Sequence, residues 1–125
     1  MTTKQITNWV PSVLVMVFIF VLSSLDGRTI NSNGLGNEAL HINGHFFMYT
    51  VLYLSLYKAL GNSYRAMFLA FIYSITDEFH QKFVPGRSAG MFDIMVDNLG
   101  ILLGSLIVWK LYPHLPKKLK SLLTK

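Results

Sequence analysis

Four stretches of this chain stay apolar long enough to cross a hydrocarbon layer, and that continuity constrains the fold more than any other feature. They run near Trp9 to Leu25, Asn43 to Leu60, Tyr64 to Phe83 and Met91 to Tyr112. A helix needs roughly 20 mainly apolar residues to span a bilayer interior of about 30 Å. Lipid offers the backbone no water, so only helices and closed barrels satisfy every N–H and C=O. The runs are continuous rather than alternating, which favours helices over a barrel. The expectation is an all-α membrane protein, a four-helix transmembrane bundle. Its punctuation agrees: "DGRTINSNGLGNEALHING" reads as loop, "KALGNSYR" as a tight helical hairpin, and "VPGRSAG" as a stop.

With 125 residues there is room for one domain, residues 1–125, and no separate catalytic module. The residues are 52% hydrophobic and 14% charged, a balance that would leave a soluble protein of this size with an oily surface. The absence of cysteine excludes disulfides and thiolate chemistry. The net charge of +5 is concentrated in the tail, residues 113–125 and the span end before it, which reads as a membrane flank rather than a nucleic-acid surface. The opening segment resembles a signal peptide in outline. It is long, lacks a small-x-small cleavage site and precedes further apolar segments, so it reads as a retained first span.

Basic residues accumulate on the cytoplasmic side. With the N-terminus inside, Lys4, Lys58, Arg65, Lys110, Lys117, Lys118, Lys120 and Lys125 are all cytoplasmic, leaving Arg28, Lys82 and Arg87 outside. Both termini are then cytoplasmic. Trp9, Tyr57, Tyr64, Trp109 and Tyr112 fall near the inner boundary as an aromatic belt. Asp26, Glu38, Asp77, Glu78, Asp93 and Asp97 fall in outer loops or outer halves of spans. The tail "LPKKLKSLLTK" either lies on the anionic inner leaflet or is simply solvated.

Helical periodicity draws the polar residues of these spans together. Asp93, Asp97, Gly100 and Gly104 share a stripe of the fourth span, with a small-xxx-small pair that permits close helix approach. Ser74, Glu78 and Gln81 share a stripe of the third, with Asp77 beside it. His45 opens the second span, Tyr49 lies one turn deeper, and Ser23 and Ser24 end the first. These groups can meet in one outward-facing pocket, and ionisable groups at membrane depth are costly enough to suggest function. Each also has a structural explanation: an ion pair of Arg87 with Asp93 or Glu78, a helix terminus at Asp77, a carbonyl partner for His45. Candidate proton-transfer residues are His45, Glu78 and Asp93, and candidate substrate contacts are Arg87, Gln81, Tyr49 and Ser24. Arg87 offers a planar fork suited to phosphate or carboxylate. His41 and His45 have the i, i+4 spacing that seats metals, and Asp77, Glu78, His80 and Asp97 are candidate ligands for a divalent cation.

The segment "SITDEFHQKFVPGRSAGMFDIMVDNLGILLG" resembles the VanZ-like family of small bacterial membrane proteins. The pattern is an acidic pair before His-Gln, a turn with Pro-Gly-Arg, an aspartate, then Asp-Asn and Gly-x-x-x-Gly. "SSLDG" and "HFFMYTVLYLSL" resemble that family's other two signatures, and the likeness runs from about Trp9 to Trp109. One departure is "HING" before His45, where the family commonly has Asp-Lys. The resemblance implies a multi-pass protein of the bacterial cell membrane. The founding type is associated with reduced susceptibility to teicoplanin, a lipid-tailed glycopeptide, which makes a lipid-linked or glycopeptide ligand at the cell envelope an expectation.

Three functions compete on these residues: an envelope enzyme or binding protein for an amphiphile, a small ion-coupled transporter subunit, and a membrane scaffold whose polar core sets helix register. No Ser-His-Asp order or phosphatase motif names a reaction. The transporter needs polar groups continuing inward, where this chain is apolar and aromatic, unless it oligomerises. Expected partners are membrane lipid and that ligand, with no nucleic acid. Topology is directly testable in this cysteine-free chain: single cysteines at Ser32 and Ser88 react with an impermeant maleimide from outside, and one at Asn62 does not. The opposite labelling pattern inverts the orientation.

Overall fold

A computed structural model of the chain describes residues 3–34, 37–87 and 90–123. Ser88 and Lys125, and the side chains of Lys4 and Glu38, lie outside the described residues. Every described element is helical. The helices are α1 (Thr3–Ser23), α2 (Gly27–Ser32), α3 (Glu38–Leu60), α4 (Ser63–Gln81), α5 (Met91–Leu111) and α6 (Lys117–Leu123), with a 3-10 turn at Tyr112–His114 between the last two.

Three boundaries differ from the sequence reading, the first being α1, which begins at Thr3 rather than near Trp9. The segment after the first span holds a helix, α2, because Asp26 caps it: the Asp26 carboxylate accepts the Thr29 N–H at 2.7 Å. That bond holds the Asp26 carboxyl below its usual pKa. Helix α3 begins at Glu38 rather than near Asn43, which brings His41 into the helix with its N–H on the Asn37 carbonyl at 3.0 Å. Hydropathy marks where apolar character begins; backbone hydrogen bonding starts earlier.

Helix α3 is the central element, packed against α1, α4 and α5. Its Tyr49, Leu52, Tyr53 and Leu56 are essentially fully buried, which an all-round apolar helix requires. The tightest contact is with α5, which runs parallel to it. A Cβ on Gly100 would collide with the Phe46 carbonyl oxygen, and one on Gly104 would stand 2.7 Å from Tyr53 Cδ1. Thr50 stitches the seam, its hydroxyl lying 2.8 Å from the Phe46 carbonyl and 3.0 Å from that of Gly100.

The outer surface is apolar on three helices. Val13, Leu14, Val17 and Phe18 of α1, Phe68, Ile72, Ile75 and Phe79 of α4, and Leu99, Leu102 and Leu106 of α5 are exposed. Among the described residues two helices are long and apolar enough to cross a membrane, over Ile6–Ser23 and Met91–His114. Helix α4 falls short on average hydropathy although its polar Ser74, Asp77, Glu78 and Gln81 all point inward and are buried.

The acidic groups of α4 and α5 gather at one end of the helices, and both tryptophans with most of the lysines lie toward the other. At the latter end, Asn62 caps α4 by accepting the Arg65 N–H at 3.0 Å, and the Tyr53 and Ser63 hydroxyls lie 2.7 Å apart. Helix α6 folds back there, with Lys120 over the Tyr112 ring and donating to the Pro113 carbonyl. Replacement of Gly100 by alanine forces the α3–α5 seam apart and is expected to cost about 1–3 kcal/mol, the usual range for overpacking. Thermal unfolding in detergent checks this, with Ser105→Ala, whose hydroxyl bonds only to Leu102 O in its own helix, as the control that stays unchanged.

Candidate functional site

The site is built around a tight turn. Val84, Pro85, Gly86 and Arg87 form a type II turn, with Arg87 N–H on the Val84 carbonyl at 3.2 Å and Gly86 at φ +72°. Proline pre-sets the second position and only glycine enters the third without strain. The turn leans on α2, where Gly27 donates to the Pro85 carbonyl at 3.0 Å and leaves no room for a Cβ against Gly86. This contact aims Arg87 at the open end of α1. Its Nη2 donates to the Leu22 carbonyl at 2.9 Å, while its Nε is buried with no partner. Burial lowers the Arg87 pKa from its ordinary value, yet a guanidinium stays charged. Among the described residues no ion pair joins Arg87 to Asp93 or Glu78, because the turn delivers it to a carbonyl on α1 instead.

Behind the turn, three helices each contribute an ionisable side chain to one cluster: His45 from α3, Glu78 from α4 and Asp97 from α5. One ligand-capable atom from each lies within 4.8 Å of the others. His45 Nδ1 and Asp97 Oδ1 are 2.8 Å apart. Glu78 Oε2 accepts the Gly90 N–H at 3.0 Å, at the N-terminus of α5, where the helix dipole favours an anion. Glu78 and Asp97 are 2% and 0% exposed, and each keeps one oxygen, Oε1 and Oδ2, with no hydrogen bond. A buried polar group without a partner costs about 1–3 kcal/mol, so this cluster is a standing expense of the fold.

Asp77 sits beside it, its Oδ2 accepting from the Gln81 amide at 3.2 Å and from the Tyr49 hydroxyl at 3.4 Å. Asp93, placed beside His45 and Glu78 by the sequence reading, is one turn removed: its carboxylate lies 3.9 Å from His41 Nδ1. Asp97, read from sequence only as a candidate metal ligand, is the partner of His45. The signal for this was present. His41 and His45 are i, i+4 on α3, Asp93 and Asp97 are i, i+4 on α5, and parallel helices match such pairs rung for rung. His80 does not join the cluster, since it lies at the α1 boundary with its Nε2 3.0 Å from Ser24 Oγ and its ring against Phe20. Ser24 is occupied there, and Ser23 rather than Ser24 lines the cavity.

That cavity, about 260 Å³, opens between α1, α2, α3 and α4. Its lining is mainly apolar, from Ile19, Leu22, Leu25, Ile30, Leu40 and Met48, with His41, His45, Tyr49, Asp77, Gln81 and Arg87 also reaching it. A mainly apolar cavity with a few polar groups has the usual form of a small-molecule site.

The family model described as VanZ/LLP1 matches residues 1–112 of the chain. No curated protein and no solved structure matches it.

Truncating His45 to alanine leaves the Asp97 carboxylate buried without its partner, which is expected to cost about 3–5 kcal/mol. The double variant His45→Ala, Asp97→Ala is expected to be less destabilised than the two single changes added together. Chemical denaturation of all four proteins in detergent gives the coupling, and strict additivity would show that the pair does not interact.

Proposed function

The chain belongs to the VanZ/LLP1 family, and from that premise we propose that it is a multi-pass protein of the bacterial cell membrane that binds an anionic amphiphile of the cell envelope at its polar end. In this reading α1, α3, α4 and α5 all cross the bilayer, both termini are cytoplasmic, and the cavity faces outward. The segregation of charge supports it: Lys110, Lys117, Lys118 and Lys120 share the end opposite the carboxylates. The inward orientation of Ser74, Asp77, Glu78 and Gln81 on α4 supports it too, since the stripe of Phe68, Ile72, Ile75 and Phe79 is then left facing outward.

The observation that carries the proposal is the mainly apolar cavity with Arg87 and His45 among its lining residues. A volume near 260 Å³ is slightly below the range of roughly 300–1,000 Å³ typical of sites that enclose a small ligand. It accommodates a head group and the start of a tail, with the remainder of the tail in the bilayer. Arg87 carries one guanidinium N–H without an acceptor, ready for a phosphate or carboxylate oxygen. Ile19, Leu22 and Met48 receive the tail, and the His45–Asp97 pair at the inner wall can take up or return a proton. A lipid-linked precursor satisfies this chemistry, and so does the acyl-bearing head of a lipoglycopeptide, which is the route by which such a protein would alter teicoplanin susceptibility.

A scaffold reading is favoured by a different observation, the α3–α5 seam at Gly100 and Gly104, where His45 and Asp97 would serve only to set register. Binding separates the two. In nanodiscs, Arg87→Gln is expected to weaken retention of a lipid phosphate by roughly ten- to a hundredfold, corresponding to loss of a charge-assisted contact of about 1.5–3 kcal/mol. Met48→Trp, which fills the apolar wall, is expected to weaken it as well. Unchanged retention in both variants, with thermal stability also unchanged, would sink the amphiphile reading.

A further inference from the structure

The trio of His45, Glu78 and Asp97, with both carboxylates buried, carries an inference that goes beyond amphiphile binding and does not depend on it. We propose that these residues form a binding site for one divalent first-row metal ion, with an imidazole nitrogen and two carboxylate oxygens as its protein ligands.

Three independent features point to a cation rather than to packing. The first is convergence: the three side chains come from three different helices, and one ligand atom of each lies within 4.8 Å of the others. Ligands bound at about 2.1 Å from one ion stand no more than about 4.2 Å apart. The widest pair therefore closes by less than about 1 Å, a movement that side-chain rotation supplies without shifting a helix. The second is the state of the oxygens. Glu78 Oε1 and Asp97 Oδ2 belong to side chains 2% and 0% exposed, and neither has a hydrogen-bond donor.

The third is charge. Among the described residues no lysine or arginine forms an ion pair with Glu78 or Asp97, and the nearby guanidinium is held by the Leu22 carbonyl. His45 pairs with Asp97 and is a cation only when protonated; as a metal ligand it is neutral, and two carboxylates without a neutralising cation are expensive to bury. A dication bound to them gives a site of zero net charge, and it takes the lone pairs that the protein leaves unused.

The donor set selects the class of ion. One imidazole with two carboxylates suits Mn2+, Fe2+, Co2+ or Zn2+ better than Ca2+ or Mg2+, which prefer all-oxygen shells. The surroundings have the outer-sphere bonds that orient metal ligands: the Gly90 N–H fixes Glu78 through Oε2 and so leaves Oε1 for the ion. Asp77, the neighbour of Glu78 in α4 and held by Tyr49 and Gln81, also keeps a buried oxygen without a partner. His45 is the member of the trio that also lines the cavity, so the ion sits next to it.

The test uses the full-length protein purified in detergent, stripped with chelator and titrated with Mn2+ alone, followed by electron paramagnetic resonance. One Mn2+ per chain is expected, with a nitrogen hyperfine coupling from the His45 imidazole in the pulsed spectrum and a raised thermal midpoint. Glu78→Gln and Asp97→Asn are each expected to weaken binding by more than about a hundredfold, since outer-sphere changes alone cost roughly 10–100-fold. Asp93→Asn, one turn away, is expected to change it less than about threefold. Absence of stoichiometric Mn2+, or bound Mn2+ without nitrogen coupling, overturns the proposal on the unmodified protein, whether or not the variants fold. Equal affinity in Glu78→Gln or Asp97→Asn overturns it as well. Because no lipid is present, failure here leaves the amphiphile reading standing, and failure of lipid retention leaves this one standing.

Discussion

The absence of two side chains, at Gly100 and Gly104, is the constraint on which the rest of the structure depends. Small residues let two helix backbones approach closely, and polar contacts then join them. Gly100 lets α5 approach until its backbone touches that of α3 at Phe46, and Thr50 then bonds across the seam. At that separation His45 meets Asp97 at hydrogen-bond distance. One turn further out, His41 and Asp93 form a looser rung at 3.9 Å. The polar site is therefore a consequence of how closely two helices pack below it.

The same packing explains how so apolar a chain tolerates its charge. Four of the six acidic residues lie on α4 and α5, and each of the four is turned toward other protein rather than outward. Some of the cost is offset by bonds to backbone and side chains: Gly90 to Glu78, Tyr49 and Gln81 to Asp77. The offset is incomplete, since Asp77, Glu78 and Asp97 each keep a buried oxygen without a donor. Groups left so are unusual in a folded protein, and a site that takes up an external partner accounts for them better than packing does. The Val84–Arg87 turn, held by the glycine-on-glycine contact with α2, adds a guanidinium to the cavity lining.

How much of this was legible in the sequence can be judged residue by residue. The helical class follows from the unbroken apolar runs, and the inward stripe of α4 follows from 3.6-residue periodicity. The Pro-Gly pair announces the turn, and the small-xxx-small pair announces the seam. Helix α2 was missed because six residues of mixed polarity carry no periodic signal; it rests on one cap at Asp26 and on the turn it packs against. The early start of α3 was missed because hydropathy reports the environment of side chains, whereas the helix continues wherever its carbonyls find N–H groups. His80 and Ser24 were drawn toward the site by their neighbours in sequence, but a helix turns 100° per residue, and that rotation carries His80 to the α1 boundary.

By itself, then, the sequence determined that this chain is helical, which residues are polar at depth, and which stripes they occupy, because local periodicity depends on nothing outside each segment. Only the tertiary structure decided that Asp97 rather than Asp93 meets His45, that Arg87 serves a carbonyl on α1, and that three ionisable groups share one point. Those outcomes depend on the axial register between helices. Register is set by where two backbones can touch, at Gly100 against Phe46 and at Gly27 against Gly86, and a shift of one turn would pair the same residues differently.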